Sequence, residues 1–195
     1  MDEDSIAKTQ DIRWNAMTDS FYFLVEELEL KSSYIKREVL STIAKLFDQS
    51  GWLTPTINTT KVLMQTMWLD KIDWDDNIPR HASKTWLSFI SIFKGVNEIT
   101  IFRWVNYSPS ALVKIHGFCD ASELAYAAAI YTRIELEEEV FTNLLIAKTK
   151  VAPVKKPSKL HLELCGTYLL WRLIQNLRKE SLKENCKYHS HSTIV

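Results

Sequence analysis

The chain has 195 residues with 24 basic and 24 acidic side chains, and 46% of it is hydrophobic, including seven Trp, seven Tyr and eight Phe. That is enough apolar material for one core or two small ones, while four Gly and five Pro exclude collagenous, mucin-like and low-complexity chains. Three cysteines (Cys119, Cys165, Cys186) and an acidic start with no apolar run behind it argue against a disulfide framework and secretion, and no stretch approaches the ~20 apolar residues that span a bilayer. A reducing intracellular setting with no membrane partner is expected. The neutral total hides an asymmetry: residues 1–100 carry 11 basic and 15 acidic side chains, residues 101–195 carry 13 and 9. The basic excess favours a polyanion near the C-terminal half.

In chain order, Phe21, Phe23 and Val25 alternate as in a half-buried strand, after turn residues that follow Trp14, and predict a hairpin. Ile35, Val39, Ile43, Leu46 and Phe47 recur at helical spacing, with Ser32 or Ser33 as N-cap and Gly51 past the end. Thr54-Pro55 opens a second helix with Ile57, Leu63, Met67 and Trp68 on one stripe. Asp73-Trp74-Asp75-Asp76 reads as a solvated helix cap rather than a catalytic pair. Trp86, Leu87, Phe89, Ile90 and Phe93 form a third helix, ended by Gly95.

The pattern then changes. Ile101 to Val105 reads as a short strand and Leu112 to Cys119 as a buried strand ending at Asp120; Ala125 to Ile134 and Val140 to Ala147 pair as a hairpin around an acidic turn. A lysine-rich stretch precedes a helix over Leu162 to Leu177, and Cys186 to Val195 reads as a last strand. The fold class is therefore mixed (α+β or α/β): a helical first half followed by a β-β-β-α-β domain.

Two carboxylates stand out, Asp120 at a strand end and Glu163 between Leu162 and Leu164, because a carboxylate in an apolar setting needs a donor or a cation. If helix and sheet pack, the two could converge and bind Mg²⁺, an oxygen-seeking ion. A capping Asp and a partly exposed helix Glu is the plainer account of the same spacing. Lys148, Lys150, Lys155, Lys156 and Lys159 have no acid among them; they form either a phosphate-neutralising cluster or a solvated loop. The spacings of Cys186, His189 and His191, or of His161 and Cys165, match no closed zinc pattern. An aspartic peptidase needs an Asp-Thr/Ser-Gly loop, and Asp48-Gln49-Ser50-Gly51 does not supply one.

Longer stretches carry more. Lys36 to Asp48, Gly51-Trp52-Leu53-Thr54-Pro55, Leu69-Asp70 through Asp76, and in the second half HGFCDAS (His116 to Ser122), AYAAAIY (Ala125 to Tyr131), AKTKVAP (Ala147 to Pro153), LELCG (Leu162 to Gly166) and STIV (Ser192 to Val195) closely resemble the Pol polyprotein of BEL/Pao-type LTR retrotransposons. The resemblance implies three segments: the trailing edge of a reverse-transcriptase palm in 1–29, a helical connector in 30–107, and a C-terminally truncated ribonuclease H-like domain in 108–195. It implies that Asp120 and Glu163 are two acids of a Mg²⁺ site that cleaves RNA–DNA hybrids, with Lys148, Lys150, Lys155 and Lys156 on the nucleic acid. The third acid falls at His191, and an imidazole there weakens the site. The expected partners are an RNA–DNA hybrid and other Pol segments, in the cytoplasm or nucleus. The region is commonly named a peptidase, a name that the residues do not support; a non-catalytic binding remnant is the alternative to a nuclease.

Overall fold

The structure, a computed structural model, describes residues 8–9, 12–25, 28–45, 48–136, 139–155, 157–183 and 192–194. Leu46 and Phe47 of the expected first helix, Lys156, and Cys186 to His191 of the expected last strand lie outside them. The chain divides into two compact units, Met1–Gln49 with Pro55–Trp104, and Ser50–Thr54 with Val105–Val195.

The first unit combines an antiparallel sheet with three helices. Strands β1 (Lys8–Thr9), β2 (Ile12–Asn15), β3 (Ser20–Phe23) and β4 (Thr100–Phe102) lie in that order. The hairpin is as expected, and Asp19 holds its turn in a left-handed conformation (φ 46°) while its carboxylate accepts the Trp14 indole N–H and a forked pair from Arg103. Arg103 lies just past β4, so this fork ties β4 to the hairpin; the Arg103 bonds foremost hold the Asp19 carboxyl below its ordinary range. β4 is shorter than the expected strand, because its pairing with β3 ends at Phe102 opposite Ser20.

Helices α1 (Lys36–Ala44), α2 (Thr54–Leu69) and α3 (Arg80–Phe93) follow the predicted stripes. Val39, Leu63, Met67, Trp86, Phe89 and Phe93 are buried, and the last three rings stack in series with centroids 5.1 and 5.0 Å apart. Trp68 and Leu87 leave the stripe and are exposed. Neither Ser32 nor Ser33 caps α1: its first amides, on Lys36 and Arg37, donate to the carbonyls of Asp76 and Trp74, and Glu38 accepts the Ile35 N–H. The cap therefore comes from a segment 37 to 40 residues downstream, so Asp73-Trp74-Asp75-Asp76 is a clamp on α1 and not a cap of its own helix. Lys36, only 4% exposed, completes it: its ammonium donates to the Ile72 carbonyl at 2.6 Å and lies 4.5 and 5.4 Å from the Trp68 and Trp74 rings. Gly95 does not stop α3 directly, since the chain tightens into a 3₁₀ turn over Lys94–Glu98.

The second unit is a four-stranded sheet carrying one long helix. Strands β5 (Leu112–Ala121), β6 (Ala125–Leu136) and β7 (Glu139–Val151) form an antiparallel meander, α4 (Lys159–Lys183) follows, and β8 (Ser192–Ile194) adds parallel to β5, giving the order β7-β6-β5-β8. The β-β-β-α-β order is thus the observed one. β7 runs past Ala147 to Val151, and α4 starts before Leu162 because Ser158 caps it, its Oγ accepting the His161 N–H. Gly51 is no helix terminator: it sits at φ 82°, where a Cβ would lie 1.9 Å from the Ala147 carbonyl oxygen, while Ser50 accepts the Ala147 N–H on the edge of β7.

Candidate carboxylate site

Strand alternation decides what each β5 side chain faces. Gly117 faces α4, since a Cβ there would meet Leu170 at 2.8 Å, and so therefore do Cys119 and Ala121. Beneath the helix, Ala128, Ile130, Leu169, Leu170 and Leu173 form one buried cluster, and Ala121, Ala152 and Leu162 a second against Tyr126, whose phenol is pushed up chiefly by burial.

Gly166 brings α4 onto the end of β5. A Cβ at this glycine would lie 3.5 Å from the Asp120 carbonyl and 3.6 Å from that of Ala127, so this turn of the helix passes over the strand end with room for no more than about a methyl group between them. One residue on, the Thr167 hydroxyl meets Cys119 Sγ at 3.7 Å and donates back to the Glu163 carbonyl. The turn of α4 that carries Glu163 is therefore the turn packed next to Asp120. Ser122 shapes the strand end itself: its hydroxyl accepts the Leu124 and Ala125 N–H groups and donates to the Ala125 carbonyl, closing the β5–β6 turn.

The two carboxylates are exposed, which corrects the expectation of apolar burial. Asp120 alternates with Cys119 and Ala121 and so lies on the face away from α4, its Oδ1 accepting the Ala121 N–H at 2.7 Å. Of the two leucines flanking Glu163, Leu162 is buried and Leu164 is 66% exposed, and Glu163 sits on the flank with Lys159 3.9 Å away. Among the described residues, no cluster of three or more His, Cys, Asp or Glu is placed to hold a metal ion. The third-acid position, His191, lies outside the described residues. β8 pairs Ser192 with Ile115, five residues before Asp120 on β5 and so roughly 17 Å from it along the strand. Carboxylate oxygens are the donors a hard divalent cation takes; a pair of such ions about 4 Å apart needs more anionic ligands than the described residues offer here.

The lysines divide differently from the expected loop. Lys148 and Lys150 stand on β7, exposed, opposite Ala128 and Tyr126, and so on the sheet face that carries α4, two strands away from β5 and on the other face from Asp120. Lys155 is exposed beyond β7, Lys159 belongs to the first turn of α4, and Lys156 lies outside the described residues. Sequence reasoning missed Ser122, Gly166 and Thr167 as residues that shape this corner. A lone glycine inside a helical pattern was the available signal for close packing.

Among the described residues no helix is long and apolar enough to cross a membrane. No curated protein matches the chain. A solved structure of a foamy viral protease-reverse transcriptase dRH in complex with double-stranded DNA is similar at 9% identity and a TM-score of 0.49; the match covers 89% of this chain and 28% of that one. The family model of the Pao retrotransposon-like RNaseH-like domain matches residues 35–192, which is most of the chain. The protein belongs to this Pao retrotransposon-like RNaseH-like family.

Proposed function

We propose that the second unit is a ribonuclease H-like domain that keeps part of its metal site, with Asp120 and Glu163 as the ligands, and that it does not measurably cleave RNA–DNA hybrid. What supports the reading is the seat of Gly166 on the Asp120 carbonyl, which sets the Glu163 turn of α4 beside the end of β5. Neither carboxylate is consumed by the fold: Asp120 accepts one neighbouring amide and Glu163 has one loose lysine partner. In such a site a bound magnesium supplies activation of water and neutralisation of phosphate charge. The chain's own part is to hold two anionic oxygens at one strand end. His191, where the family pattern calls for an acid, contributes no anion, so the ligand charge falls short of a working pair of ions.

In the same reading, residues 1–29 are a remnant of a reverse-transcriptase palm, 30–107 a connector and 108–195 the nuclease-like domain, the whole working inside the cell beside other Pol segments. A purely binding remnant is the second reading, favoured by Lys159, whose ammonium competes for Glu163. A fluorogenic RNA–DNA hybrid assay in Mg²⁺ or Mn²⁺ tests the proposal together with Mn²⁺ titration by electron paramagnetic resonance. Mn²⁺ binding that Asp120→Asn removes, without turnover, is the expected result. Hybrid cleavage abolished by Asp120→Asn would overturn the inactivity, and Mn²⁺ binding indifferent to both Asp120→Asn and Glu163→Gln would overturn the site.

A further inference from the structure

The outer face of α4 is built for contact. Leu160, Leu164, Tyr168 and Trp171 recur at helical spacing opposite the buried stripe, and Tyr168 and Trp171 are 58% and 54% exposed with their rings stacked at 5.8 Å and 22°. An exposed stacked pair offers a flat aromatic surface, more than half open on each ring-bearing residue.

The charge beside it is mainly basic. Leu170 and Thr167 reach β5, so the opposite flank of α4, with Tyr168 and Arg172, lies toward β6. Lys148 and Lys150 rise from the same sheet face at the edge strand. From Val140 to Lys179 there are eight basic residues and one acid, Glu163, which sits on the far flank. Arg172, Lys148 and Lys150 are exposed, and none is joined to a carboxylate in an ion pair among the described residues.

We infer that this face, the Tyr168–Trp171 platform with Lys148, Lys150 and Arg172, is a binding site for single-stranded nucleic acid, separate from the carboxylate corner. Rings that stack on bases, next to cations that track phosphates, are the chemistry such strands require, and both parts are preformed. A duplex hides its base faces and gains only the cations. The site does not rest on Asp120 or Glu163, which lie on the other sheet face and the other helix flank.

The test uses the full chain and a fluorescein-labelled dT₁₂ probe, read by anisotropy across a salt series, with an unlabelled duplex as competitor. Trp171→Ala is expected to weaken binding by about tenfold or more, as for loss of one stacked base. Lys148→Ala with Lys150→Ala is expected to flatten the salt slope by about 1.4, at about 0.7 per lost single-strand phosphate contact. Asp120→Asn with Glu163→Gln should leave binding unchanged, so that loss of metal binding there does not touch this proposal. Affinity indifferent to Trp171→Ala and to the lysine pair, in variants whose near-ultraviolet circular dichroism is native, would overturn it. So would a probe that fails to bind while the chain self-associates through Trp171, the result expected of a protein-docking face.

Discussion

Apart from Glu135 of the second unit, which pairs with Lys114 and Arg133, the two units treat the charged residues considered above in opposite ways. In the first, ions are structural: Lys36 is buried between two indoles with its ammonium on the Ile72 carbonyl, Asp19 gathers Trp14 and Arg103, and Arg37 forks onto Asp75 at 2.8 and 2.9 Å. In the second, the sheet and α4 are joined by apolar contact, and Asp120, Glu163, Lys148 and Lys150 stand at the surface. A charged side chain that the fold does not use is free to meet a ligand. That contrast, more than the position of any one acid, separates framework from candidate site.

It can be broken by substitution. The largest effect is expected at Gly51→Ala, which places a Cβ against a backbone carbonyl at a left-handed φ; a loss of roughly 3 kcal/mol or more is expected in urea unfolding. Lys36→Ala should follow, at about 2–3 kcal/mol, because it removes the caged cation and strands the Ile72 carbonyl. Gly117→Ala should cost about 1–2 kcal/mol unless Leu170 shifts aside.

Acid should separate the units as well. Asp19, Glu38 and Asp75 are held below the ordinary carboxylate range, first by hydrogen bonds from Arg103, Lys31 and Arg37 respectively. A depressed folded pKa adds stability above the unfolded value, about 4, and that stability is lost as pH falls through the folded value. The first unit should therefore loosen as pH drops below about 4, and Asp19→Asn should blunt that dependence in a circular dichroism titration. Smallest of all, Asp120→Asn and Glu163→Gln should each move stability by less than about 0.5 kcal/mol. A large loss at either would return that carboxylate to the framework.

Much of this was legible in the chain. The alternation of β5, the β6–β7 hairpin and the stripe of α4 are local patterns, and local patterns survive folding. What escaped was non-local. The cap of α1 comes from carbonyls of Trp74 and Asp76, so no serine before it was needed. Lys36 reads as a surface residue until Trp68 and Trp74 close over it. Gly51 suggested a helix end because its true constraint, the Ala147 carbonyl, is almost a hundred residues away. Asp120 and Glu163 stood out in the sequence, but their exposure did not, since a carboxylate between apolar neighbours points to either side of a sheet or helix flank according to a packing partner that the pattern does not name.

The most direct measurement is Mn²⁺ titration of the isotopically labelled full chain by NMR. The account predicts broadening that is strongest at the amide signals of Ala121, Gly166 and Thr167 and weakens with distance from them, and its disappearance in the Asp120→Asn, Glu163→Gln double variant. Broadening that survives the double variant, or that centres on other residues, would contradict it.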